Sequence, residues 1–202
     1  MANRPLQASA RRKFAYHIRM LVLASRSPRR REILQQAGIP FTVRPADVDD
    51  TPRPHEAPRD YVTRIAAEKA SAVAAGPDDI VLGADTTVAV SGEILGKPRD
   101  SADAARMLEL LSGRRHEVLT GICLKAAARV VQDCAETAVW FASLSRQEIA
   151  DYAAGGEPLD KAGGYAIQGL ASKFVQRIEG CYFNVMGLPI ALVYRHLRNF
   201  ER

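Results

Sequence analysis

Residues 21–34 read LVLASRSPRRREIL, an apolar run, a polar corner and a helical pattern in succession. Four apolar residues, 21–24, lead into the polar corner Ser25-Arg26-Ser27, and Pro28 then heads a helical pattern that runs to Ala37 and is closed by Gly38. Ser27 suits the N-cap, where its side-chain oxygen accepts a free backbone N–H. Pro28 suits the first helical position, where its missing N–H would have had no partner. Strand, corner and helix in this order open an alternating α/β fold.

The alternation continues along the chain. Residues 41–44 read as a second strand, a Pro-rich acidic loop follows, and about 59–75 carry a helical pattern. Residues 80–90 are strongly strand-like, Ser91-Gly92-Glu93 turns, and Ile94 and Leu95 resume an apolar run. Ser101 begins a helix whose Met107, Leu108 and Leu111 form its core face before Gly113. Strands are expected near 117–125 and 130–141. Ser145 and Glu148 have capping-box spacing, which predicts a helix to Ala154. A glycine-rich loop at 157–169, a strand near 174–178 and a helix from Pro189 to about Asn199 complete the pattern, without internal repeats.

The chain has 202 residues, of which 47% are hydrophobic, so it can bury a sizeable core. Cys123, Cys134 and Cys181 are odd in number and far apart, which reads as reduced thiols of a cytoplasmic protein. The formal charge is +5, but no acidic residue precedes Glu32 while nine Lys or Arg do; without those nine, residues 32–202 stand at −4. An acidic body argues against a nucleic-acid partner, and no segment has membrane-spanning length. Residues 1–19 form a basic leader, read as a start-site artefact, a disordered tail or a targeting segment, and residues 20–202 as one domain.

Several residues carry chemistry. Around Ser25, Arg29 and Arg30, free N–H groups, a hydroxyl and guanidiniums converge at a helix start, and each favours a phosphate oxygen. Arginines there oppose the helix dipole, which makes them a poor purely structural choice. Asp85 stands within a buried apolar strand, followed by Thr86. It either ends the buried run or serves as a metal ligand or proton acceptor. Lys69 shares a helix face with Val62, Ile65 and Val73, so it either snorkels to solvent or points into a ligand cleft. Lys97 and Lys161 are further cations; Asp49 and Asp50 are a solvated acidic turn or metal carboxylates. Gln168, near the glycines 163, 164 and 169, can both donate to and accept from a base edge. Leu170 stands where a Walker A loop needs Lys, no strand-linked G-x-G-x-x-G occurs, and the four histidines lack metal-ligand spacing.

Taken together and in order, LASRSPRRREIL, YVTRIAAEKA, VLGADTTV, GEILGKPRD, LSGRRHEVLTG, EPLDKAGGYAIQG and NVMGLPI resemble the Maf family of nucleotide pyrophosphatases, from about Leu21 to the C-terminus. The resemblance implies an inosine triphosphatase-like α/β fold, two lobes sharing an elongated mixed sheet around a central cleft, often as a homodimer. It implies a nucleoside triphosphate substrate, a divalent cation (Mg²⁺ or Mn²⁺) and Asp85 as catalytic base. By the same resemblance Ser25, Arg29, Arg30, Lys69 and Lys97 hold phosphates and Asp50 helps with the metal; Lys161 is counted with the phosphate-binding residues and Asp85 with the metal ligands. Asp50 is shorter than the Glu common at that place. Arg29, Thr86 and Gln168 resemble the branch that cleaves dTTP and UTP rather than 7-methyl-GTP. The rival reading is a non-catalytic nucleotide-binding regulator of cell division, with the same cleft used for sensing.

Overall fold

The computed structural model describes residues 20–127 and 129–200. The leader, 1–19, lies outside them. Strand β1 (Leu21–Leu23) turns through Ser25 to Ser27 into helix α1 (Pro28–Gln36), where the Ser27 hydroxyl accepts from Arg30 N at 3.4 Å. There follow β2 (Phe41–Val43), α2 (Pro58–Ser71), the long β3 (Ile80–Val90), β4 (Glu93–Leu95) and α3 (Ser101–Leu111). The antiparallel pair β5 (Arg115–Ala126) and β6 (Arg129–Phe141) leads to α4 (Arg146–Ala154), β7 (Val175–Glu179), α5 (Tyr182–Met186) and α6 (Ile190–Phe200). The Ser145–Glu148 capping box forms as its spacing predicts.

The strands make one seven-stranded mixed sheet in the order β2-β1-β3-β5-β6-β7, with β4 beside β3. β1 pairs in parallel with β2 and β3, and the remaining pairs are antiparallel. Alternation along the strands divides the core. Leu21, Leu23, Leu82, Val88 and Val90 pack with Ile33 and Leu34 of α1 and with α3 and α6. On the opposite face, Val22, Val81, Ala89, Leu119 and Cys123 meet Val62, Ile65, Ala66 and Ala70 of α2. The architecture is mixed α/β, and among the described residues no helix is long and apolar enough to cross a membrane.

Three local differences from the sequence reading have physical reasons. Helix α2 stops at Ser71 instead of about 75, because Ala72, Ala74 and Ala75 are exposed and only Val73 still packs on the core, and Arg44 Nη1 donates to the Ala74 carbonyl at 2.7 Å. Helix α5 has only five residues, too few for a periodic signal. The glycine-rich segment forms three short 3₁₀ turns, Glu157–Asp160, Ala162–Gly164 and Leu170–Phe174.

Candidate active site

One edge of β3 creates the site. Along its other edge β3 pairs with β5 from Val81 to Ala89 without a break. On the first edge β1 covers only Ile80–Leu82 and β4 only Val88–Val90, so no strand covers residues 83–87 there. Asp85 and Thr86 lie in that gap, beside the carboxyl end of β1, the kind of place where open α/β sheets bind ligands. The cleft at this gap has a volume of about 750 Å³, in the range of small-ligand sites. Ser25, Arg29, Arg30, Asp50, Lys69, Asp85, Thr86, Lys97, Lys161 and Gln168 all line it. Segments far apart in the chain therefore meet at one place.

Asp85 shares the α2 side of β3 with Val81 and Ala89 and is 7% exposed. Helix α2 reaches it because Gly83, and Gly121 directly across the ladder from Asp85, have no side chains. A Cβ at Gly83 would land on the Ala66 carbonyl, and one at Gly121 on the Val62 carbonyl. So close a seat puts Lys69 Nζ 2.5 Å from Asp85 Oδ1. Lys69 therefore points into the cleft and does not snorkel away. Asp85 Oδ2 accepts no hydrogen bond from the described residues.

The arginines that look alike in sequence separate in space. Arg30 lies on the same helix face as Ile33 and Leu34 and is buried. Its Nε donates to Gly187 O (2.8 Å), Nη1 to Ala84 O (2.8 Å) and Ser25 Oγ (3.1 Å), and Nη2 to Thr86 Oγ1 (3.0 Å). Burial lowers its pKa, the Asp85 charge acts against that, and a guanidinium stays charged regardless. Arg30 thus pins the corner after β1, the open edge of β3 and the end of α5 together, and one Nη2 N–H remains for a ligand. The Thr86 hydroxyl lies 3.0 Å from that of Thr120, which donates to Asn184 O at 3.2 Å. Thr86 therefore acts on the cleft wall through Arg30 and Gly187, 3.3 Å away.

Asp50 sits on the exposed loop before α2, which is tied down at two places. Tyr61 Oη donates to the Asp50 carbonyl at 2.7 Å, and Arg64 holds Glu56 at 2.6 Å and the Thr51 carbonyl at 3.2 Å. The Arg64 hydrogen bond draws the Glu56 carboxyl down to about 2. Lys97 is exposed after β4, and Gln168 is exposed beside buried Tyr165, whose hydroxyl is 2.9 Å from His116 Nε2. Asp160, unremarked in the sequence, receives Arg29 Nη1 at 3.2 Å and also Lys161 Nζ. Burial alone would raise the Asp160 pKa, but the bonds from Lys161 and Arg29 prevail and lower it. Tyr61, Thr120, Asn184 and Asp160 gave no sequence signal, since their partners are set by the fold. Gly121 did give one, as a glycine inside a strand that marks close backbone approach.

The sequence profile of the family described as Maf-like protein matches residues 20–200, which spans all of the described residues. The chain belongs to that family. Among curated relatives, the dTTP/UTP pyrophosphatase of Anaeromyxobacter dehalogenans (strain 2CP-C) is 55% identical over 175 residues, 85% of this chain and 89% of the relative. The protein of the same name from Koribacter versatilis (strain Ellin345) is 52% identical over 88% of this chain and 93% of its own length. That from Bacillus cereus (strain AH820) is 48% identical over 91% and 97%. In this Maf-like chain the match spans all the segments that line the cleft.

Proposed function

We propose that this Maf-like protein is a nucleoside triphosphate pyrophosphatase that converts dTTP and UTP to the monophosphate and pyrophosphate. The observation that carries the reading is the Asp85–Lys69 pair at the open edge of β3, set in a cleft lined by five further Arg or Lys side chains. The names of relatives at about half identity support it, and they do not favour the regulator of cell division.

The basic residues hold the phosphate chain, with Ser25 and the start of α1 supplying further donors. Lys69 fixes Asp85 through Oδ1 and leaves Oδ2 to orient a water. The water oxygen attacks the α-phosphorus, its proton passes to Asp85 Oδ2, and the bond from the α-phosphorus to the bridging oxygen breaks, so pyrophosphate leaves with the electron pair. Gln168, exposed in the cleft, has the amide donor and acceptor that match the N3–H and O4 of uracil or thymine. Arg29 and Thr86 shape the same selectivity, Thr86 through Arg30.

A divalent cation fits this donor set. Asp50 and Asp85 offer two carboxylates, and among the described residues no cluster of three His, Cys, Asp or Glu stands ready as a cage. Mg²⁺ and similar ions commonly combine one or two carboxylates with substrate phosphate oxygens. Held by Asp50 and Asp85, the ion would neutralise phosphate charge and polarise the phosphorus. The reading places the enzyme in the cytoplasm, with residues 20–202 as one unit of two lobes that pairs as a homodimer. Sedimentation at micromolar concentration reads the last point, and a strictly monomeric species would remove it.

The test is pyrophosphate release from dTTP, UTP, CTP, GTP, ATP and 7-methyl-GTP, with Mg²⁺ or Mn²⁺ and after chelation. Asp85→Asn is expected to lower kcat by about 10²–10⁴-fold, the scale of a lost general base. Near-normal turnover in that variant would remove Asp85 from its role. Nucleotide binding without cleavage would return the weight to a regulator.

A further inference from the structure

Arg29 and Lys161 enter the cleft from segments far apart in the chain and share one carboxylate. Arg29 Nη1 donates to Asp160 Oδ2 at 3.2 Å, and Nη2 donates to the backbone carbonyl of the same residue at 3.4 Å. Lys161 Nζ donates to the other carboxylate oxygen, Oδ1, and to the Glu157 carbonyl at 3.1 Å. The Asp160 side chain is 61% exposed, whereas those of Arg29 and Lys161 are 21% and 14% exposed. The carboxylate is thus turned to solvent and the cations lie deeper. A blocking anion would have to be displaced by a ligand, but here donors remain free. Arginine has five N–H groups and lysine three, and each has used two on these bonds.

We propose that Asp160 is a positioning residue that sets Arg29 and Lys161 as a preformed two-cation fork for the phosphate chain, and ties the first turn of α1 to the 3₁₀ turn at 157–160. The proposal rests on the triphosphate reading above. Two like charges held side by side repel each other, and both side chains are long and rotamer-rich. The carboxylate between them offsets the repulsion and removes rotamer freedom before the ligand arrives. Because Asp160 acts on held phosphate and not on the proton transfer at Asp85, its loss shows in binding and not in turnover.

The experiment uses the full chain, with inorganic pyrophosphate titrated calorimetrically into the wild type, Asp160→Asn and Asp160→Glu, and UTP kinetics on the same preparations. In Asp160→Asn the pyrophosphate Kd and the UTP KM are both expected to rise about tenfold, with kcat within about threefold of wild type, the pattern of lost uniform binding. Asp160→Glu, which keeps the charge, is expected to recover most of that loss. An unchanged Kd would reduce the contact to an ordinary exposed ion pair and overturn the proposal. A lower Kd would make Asp160 a competitor and overturn it too, as would a fall in kcat at constant KM. If the wild type binds UTP but releases no pyrophosphate, the hydrolase reading fails, and the pyrophosphate titration still decides the fork.

Discussion

His116 has no exposed surface, and Tyr165, which lines the cleft, is its hydrogen-bond partner. Burial disfavours the imidazolium and lowers the His116 pKa from 6.5 to about 4. Between these values the unfolded chain binds a proton that the folded chain refuses. Stability is therefore complete above pH 6.5 and is lost as pH falls towards 4, by about 3 kcal/mol over the window. His116→Gln keeps a polar partner for Tyr165 but does not titrate. Urea unfolding from pH 7 to 4 is expected to show a lower plateau and a flatter acid limb in the variant; parallel limbs would dismiss His116 as the cause. Residues such as Asp85, Lys69 and Arg29 were legible in the sequence because a charge in an apolar strand or stripe, or a basic helix start, is locally anomalous. Asp160 was not, because its partner Arg29 is 131 residues away and an acidic residue in a loop needs no explanation. The burial of Arg30 was legible in principle, three and four residues before Ile33 and Leu34, but a run of arginines hides which one turns inward.

Strands, main helices and caps could be read from periodicity and punctuation, whereas the split edge of β3 could not. Nothing local in Leu21–Leu23 or Glu93–Leu95 says that the two strands pair with opposite ends of β3 and leave residues 83–87 open between them. The seat of α2 depends on the same long-range pairing, and its two glycines make it testable. Gly121→Ala would place a methyl group on the Val62 carbonyl, which is helix backbone and yields only if α2 moves. The expected result is a loss of about 1–3 kcal/mol in urea unfolding, the range for overpacking a close contact. Moving α2 also draws Lys69 from Asp85, so kcat is expected to fall in the fraction that remains folded. Unchanged stability would mean that the helix is not seated this closely.

Across the whole molecule, charge is distributed in two ways at once. Residues 32–202 are net negative, yet the cleft lining holds six Arg or Lys against four Asp. A concave wall of one prevailing sign concentrates the field where, on the proposed function, the triphosphate binds, while the acidic remainder discourages long polyanions. Five of the basic residues lie in the leader at 1–19, before the family match begins at residue 20, and they account for the entire formal charge of +5. If the cleft field alone attracts substrate, a chain beginning at Met20 should keep the kcat and KM for dTTP although its formal charge is zero. Its KM should also rise with added salt as in the full chain, because screening over about 8–10 Å acts on the cleft cations in both. Any salt-sensitive binding to DNA should instead disappear with the leader. Kinetics of the two chains at low and physiological ionic strength, with a DNA-binding titration beside them, make the comparison. A KM several-fold higher in the shortened chain, with its salt dependence gone, would place the leader in the path of the substrate and remove the cleft as the sole source of attraction.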